Sequence, residues 1–142
     1  MNFFIFCRIA LILVDATFPS RAGTLTVTTT NDTGPGSLRE RVEASGIGET
    51  IVFERSVTGT ITLTNGDLIL RRATFIDGPG PNVLTISGFV PNGVFPIVNF
   101  GEYRISGLTV AHGHSWGGNG GGIYTHCPLT PTMCVAHTNP PS

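Results

Sequence analysis

The sequence predicts an all-β fold, a right-handed parallel β-helix (solenoid) closed by a short N-terminal capping helix. Three observations predict it. Short Thr-, Ile- and Leu-rich segments follow one another from Thr50 onward with no second helical pattern among them. Their junctions are rich in glycine, proline and asparagine. Similar strands also recur at about 20 residues: Ile86 in "LTISG", Ile105 in "YRISG" and Ile123 in "GGIYT". Such a repeat cannot bury its apolar face alone and must stack on its neighbours. A hairpin fold would need two-residue turns inside alternating pairs, and only Asn65-Gly66 and Asn92-Gly93 come close.

The elements follow in chain order. Residues 1–23, "MNFFIFCRIALILVDATFPSRAG", open with an apolar block and end near Ser20-Arg21-Ala22, a small-x-small arrangement that suits signal cleavage. They read as a secretory signal, although Arg8 and Asp15 interrupt the pattern; the competing reading is a start codon placed upstream of the true one. The same two charges argue against a transmembrane segment. "TLTVTTT" then alternates into a first strand. In "SLRERVEASG", Ser37-x-x-Glu40 forms a capping box, Leu38 and Val42 share one face, and Gly46 supplies a stop. Arg39 and Glu43 are spaced to pair across one turn. A helix of about two turns is too short to stand alone, so Ser37, Leu38, Glu40 and Val42 define a cap docked on the first coil.

The strands expected next are "TIVF", "GTITLT", "DLIL", "ATFIDG", "VLTISG", "VFPIVNF", "YRISGLTV" and "GGIYT". At roughly 20 residues per repeat they make about five coils over residues 24–125. In this register Ile86, Ile105 and Ile123 form a single inward ladder, with coils about 4.8 Å apart. The remainder, residues 126–142, "HCPLTPTMCVAHTNPPS", has neither strand alternation nor a helical face. It is expected to be a truncated or frameshifted end, or else a native tail. Without a cap after it, the last coil would expose an open edge and favour self-association.

Composition narrows the function. Charged residues are 12% of 142, against a usual quarter, which leaves a turn-rich chain with Gly 19 and Pro 10. All 8 basic residues are Arg and only Arg71-Arg72 are adjacent, so there is no basic stripe for nucleic acid. The acids stand singly in sequence, unlike the converging carboxylates of a Ca²⁺-assisted lyase. Asp77 and Arg104, brought near each other on adjacent coils, read as a structural pair. No catalytic residue is expected.

No metal or other cofactor is expected either. Cys127-x6-Cys134-x2-His137 matches no usual ligand spacing, and the His112-Gly113 step reads as a turn. "GGNGGG" lacks the following helix of a phosphate cradle. Trp116 in the longest turn, with His112 and His114 just before it, is the candidate carbohydrate contact, since loop aromatics stack on sugar rings. The simpler reading folds that Trp back over the glycine-rich backbone.

Taken together, "GPGSLRERVEASGIGETIVF", "GTITLTNGDLIL", "TFIDGPGPNVLTISG" and "YRISGLTVAHG...GGNGGGIYT" resemble, in this order, the opening of bacterial secreted β-helix repeat proteins. These carry a CSLREA-type N-terminal segment and belong with the polymorphic outer-membrane and pectin-lyase-like repeats. The resemblance spans about residues 24 to 125. It departs at Gly36, where the family segment has Cys, and again after Thr125. It implies the N-terminal part of a protein that is extracellular or on the bacterial cell surface. The implied role is structural or adhesin-like, with surface polysaccharide as a partner; the alternative is a fragment of a pectin-lyase-like enzyme lacking its catalytic coils.

Overall fold

A computed structural model describes residues 22–89, 93–99, 101–114 and 122–125. It contains strands β1 (Thr24–Val27), β2 (Glu49–Phe53), β3 (Gly59–Thr62), β4 (Thr74–Asp77), β5 (Leu84–Ser87), β6 (Phe95–Ile97), β7 (Arg104–Ser106), β8 (Thr109–Ala111) and β9 (Ile123–Thr125), with helix α1 (Leu38–Ala44) between β1 and β2. Among the described residues every strand pairing is parallel. The strands form three sheets, ordered β1-β2-β4-β7, β3-β5-β8 and β6-β9, and an isolated bridge joins Leu70 to Ile97 beside the third. Each strand thus pairs with its counterpart one turn along, as a parallel β-helix requires. Among the described residues, β2, β3 and Leu70 make one turn, β4–β6 the next and β7–β9 the third.

Alternation along the strands separates core from solvent. In β4, Thr74 and Ile76 are buried, Phe75 is half-buried and Asp77 is exposed. Parallel sheets covered on both faces read as continuous apolar runs; one face of the first two sheets here meets water and the period of two survives in them, whereas β6 is buried at all three residues. The inward positions stack in register as Leu25–Ile51–Ile76–Ile105 on the first sheet. On the second they stack as Ile61–Ile86–Val110. Leu38 and Val42 of α1 join the same buried cluster.

This register replaces the single ladder expected from the sequence. Ile86 lies in β5, Ile105 in β7 and Ile123 in β9, one on each of the three sheets, and Ile123 pairs with Phe95. The 19 residues from Ile86 to Ile105 carry the chain past a corner and not around a full turn. The true turn is longer: Ile51 pairs with Ile76, Ile76 with Ile105 and Ile86 with Val110, separations of 24 to 29 residues. Three turns therefore account for what the shorter period made five. The expected "YRISGLTV" strand divides at Gly107 into β7 and β8, and "DLIL" contributes only the Leu70 bridge.

Gly78 and Gly107 make the corner that splits them. Gly107 has φ +65°, and a Cβ on either glycine would collide with the other's carbonyl oxygen. Gly80 N–H donates to Gly107 O at 2.7 Å, so successive turns are bonded backbone to backbone where the chain leaves the first sheet. In the third turn Ile105 and Leu108 are buried, 3% and 5% exposed.

At the other end α1 forms the cap. Ser37 Oγ accepts from Glu40 N–H at 3.2 Å, while Glu40 Oε2 accepts from Gly36 N–H at 2.6 Å. The return bond thus reaches one residue further back than in a standard capping box, because Ser37 N–H is taken by Gly34 O. The helix ends in extended backbone at Ser45, whose hydroxyl donates to Val42 O, so Gly46 is not the residue that stops it. Arg39 does not pair with Glu43. Its Nε and Nη2 donate to Asp32 Oδ1 at 3.0 and 2.8 Å, and further bonds reach Gly66 O and Asp67 O. Asp32 Oδ2 accepts from Asn65 N–H at 2.7 Å and from the Thr64 hydroxyl. The hydrogen bonds that the two members of this ion pair make to residues 64–67 therefore tie the capping segment to the first full turn. The joint also contains a cost, because the buried Asp67 Oδ1 has no hydrogen-bond partner.

Candidate functional site

The residues singled out in the sequence fall in three places. Ser37, Leu38, Glu40 and Val42 belong to the cap, and their polar groups are used in holding it. His112 and His114 follow β8 and are both exposed. The His112 backbone is left-handed, with φ +51°, and its Nδ1 lies 3.2 Å from Ser87 Oγ on the neighbouring turn. Because the Ser87 hydroxyl donates to Gly88 O, this contact fits an Nδ1–H donor. His112 is thereby folded back over the end of β5. Trp116, His126, Cys127, Cys134 and His137 lie outside the described residues.

Among the described residues, hollows open beside two of these elements. The larger, about 400 Å³, is lined by Thr33, Gly34, Pro35, Ser37, Arg39, Glu40 and Glu43 at the start of α1. Its polar groups are largely committed. Arg39 is turned onto Asp32 and the 66–67 carbonyls, and Glu40 holds the Gly36 amide.

The smaller hollow, about 100 Å³, lies on the outward face of the first sheet and is lined by Thr50, Phe75, Ile76, Asp77, Arg104 and Ser106. Its geometry follows from strand register. Thr50, Phe75 and Arg104 stand side by side on β2, β4 and β7, and Asp77 stands beside Ser106. Neighbours across strands are about 4.8 Å apart, and residues two apart along a strand about 6.6 Å. Phe75, Arg104, Ser106 and Asp77 therefore occupy the corners of a rectangle, with the two charges on its diagonal. Ser106 Oγ donates to Asp77 Oδ1 at 3.1 Å. Among the described residues no hydrogen bond or ion pair engages the Arg104 guanidinium, and Asp77 Oδ2 accepts none.

The sequence points to Asp77 and Arg104 as outward neighbours on adjacent turns, and the structure places them so, without an ion pair between them. What sequence reasoning missed is Phe75. The signal was its place in "TFID": with Ile76 inward, both Phe75 and Asp77 must face out.

Compared with known proteins, the chain matches no family model, no curated protein and no solved structure. Among the described residues no helix is long and apolar enough to cross a membrane.

Proposed function

We propose that this chain is part of a secreted or surface-displayed β-helix protein whose role is structural and adhesin-like at the outside of a bacterial cell. The observation that carries the proposal is the first sheet. Four strands from successive turns pair without a break, so their outward residues stand in straight rows across the turns. A stacked solenoid of this kind presents an extended regular surface, the form in which repeat proteins contact large partners. The resemblance of the "GPGSLRERVEASG" and following segments to bacterial secreted β-helix proteins supports the location. The alternative, a fragment of a pectin-lyase-like carbohydrate-active enzyme whose catalytic coils are absent, calls for converging carboxylates, and the hollow at Asp77 and Arg104 holds one.

The test is expression of the full chain with its own first residues in a bacterial host, followed by fractionation and protease treatment of intact cells. Recovery outside the inner membrane, with binding to purified surface polysaccharide and no release of unsaturated sugars, supports the adhesive role. Retention in the cytoplasm overturns it, and release of unsaturated sugars favours the enzyme.

A further inference from the structure

We propose that the hollow across β2, β4 and β7 is a binding subsite for one ring of a neutral saccharide. Its place on a surface-displayed protein rests on the function proposed above; the chemistry rests on the hollow alone. Phe75 is a half-buried aromatic on an outward position, with Thr50 and Arg104 on either side of it. An aromatic face beside hydroxyl and charged groups suits a sugar ring, whose C–H face is apolar and whose rim carries hydroxyls.

The charges select the class. Arg104 brings a set of fixed donors with no engagement among the described residues, and Asp77 retains an acceptor oxygen after Ser106 has taken the other. Sugar hydroxyls donate and accept at once, so one ring satisfies both groups. Opposite charges on the diagonal cancel, which gives the site no net attraction for an ion. A uronate would gain from Arg104 and lose to Asp77, because a like charge brought against a carboxylate is repelled. At about 100 Å³ the hollow receives one face of a ring and leaves the rest in solvent. Binding is then expected to be weak for one ring and to strengthen with chain length only where neighbouring rings find contacts on the same sheet.

The experiment is a titration of the full chain, labelled for amide NMR, with cellohexaose, mannohexaose and hexagalacturonate. The expected result is that a neutral hexasaccharide shifts the amides of Thr50, Phe75 and Ser106, and that hexagalacturonate binds at least tenfold more weakly. Phe75→Thr and Arg104→Gln are each expected to lower the affinity at least tenfold. Both side chains face outward, and an unchanged thermal midpoint confirms folding; Phe75→Tyr, which keeps the ring, restores binding should Phe75→Thr fail to fold. Preferred binding of hexagalacturonate, no shift with any of the three sugars, or binding that survives both substitutions overturns the subsite. Cell-surface recovery with polysaccharide binding unaffected by these variants sinks the subsite and leaves the adhesive role standing.

Discussion

Asp32 shows how one side chain can decide whether a cap stays closed. Its carboxylate accepts from Arg39 Nε and Nη2, from the Asn65 amide and side chain, and from Thr64, and only 6% of its side chain is exposed. Burial pushes the carboxyl up. The hydrogen bonds from Arg39 and Asn65, together with the guanidinium charge, outweigh that and hold it below its ordinary value. A carboxyl lowered on folding stabilises the native state above the unfolded value, near 4, and that contribution is lost as pH falls through the lower native value. Asp32→Asn replaces an acceptor with a donor facing Arg39 and is expected to cost about 3 kcal/mol at neutral pH. Urea unfolding followed by circular dichroism checks both points: the gap between wild type and variant should narrow once the pH is taken below about 4. A gap unchanged at low pH would show that the ionised form of Asp32 is not what the cap depends on. None of this was legible from composition. Arg39 lies four residues from Glu43 and seven from Asp32, and helical spacing favours the former; only the docking of the cap on the turn at 64–67 brings Arg39 to the latter.

At the scale of elements, the cap and the corners respond to different physics. Ser37→Ala removes one acceptor for a helix-start amide and is expected to cost about 1 kcal/mol, measured by the shift in urea midpoint. Gly107→Ala is expected to cost more, about 2–4 kcal/mol, since it adds left-handed strain to a collision with the Gly78 carbonyl. If Gly107→Ala were as mild as Ser37→Ala, the two turns would not be in contact at this corner. The cap also guards an edge. Arg41 Nε donates to Thr26 O at 2.9 Å, covering a carbonyl of β1 that β2 does not use. Exposed strand edges template pairing with other chains, so Arg41→Ala is expected to raise the rate of aggregation at constant protein concentration, read by light scattering. Helix α1 itself was plain in the sequence, because capping signals are local. The bond from Gly36 and the edge contact of Arg41 were not, because both depend on neighbours brought together by the fold.

Across the whole molecule, fold class was readable and register was not, for one reason. Turn chemistry and strand alternation are written locally, so an all-β solenoid could be inferred from them. "ISG" occurs at Ile86–Gly88 and again at Ile105–Gly107, and both copies mark a strand reaching a corner. Corners occur several times in each turn, so likeness between two of them does not identify successive turns. The pairing itself shows which residues share a layer, and Ile76 is central to one. It is fully buried between Ile51 and Ile105 on the strands either side. Ile76→Ala is expected to destabilise the protein by about 3–4 kcal/mol, since the cavity opens where neighbours on both sides are already locked in register. Ile123→Ala, at a partly buried position, should cost about 1 kcal/mol. The shape of the transition matters as much as its midpoint. Stacked turns unfold together when the interfaces between them are strong and separately when they are weak. Here the buried cluster runs without a break from Leu38 in the cap to Leu108 in the third turn. Ile76→Ala should therefore lower the thermal midpoint while leaving a single transition. A second transition in the variant would show that the first turn and its cap can stand without the turns stacked on them.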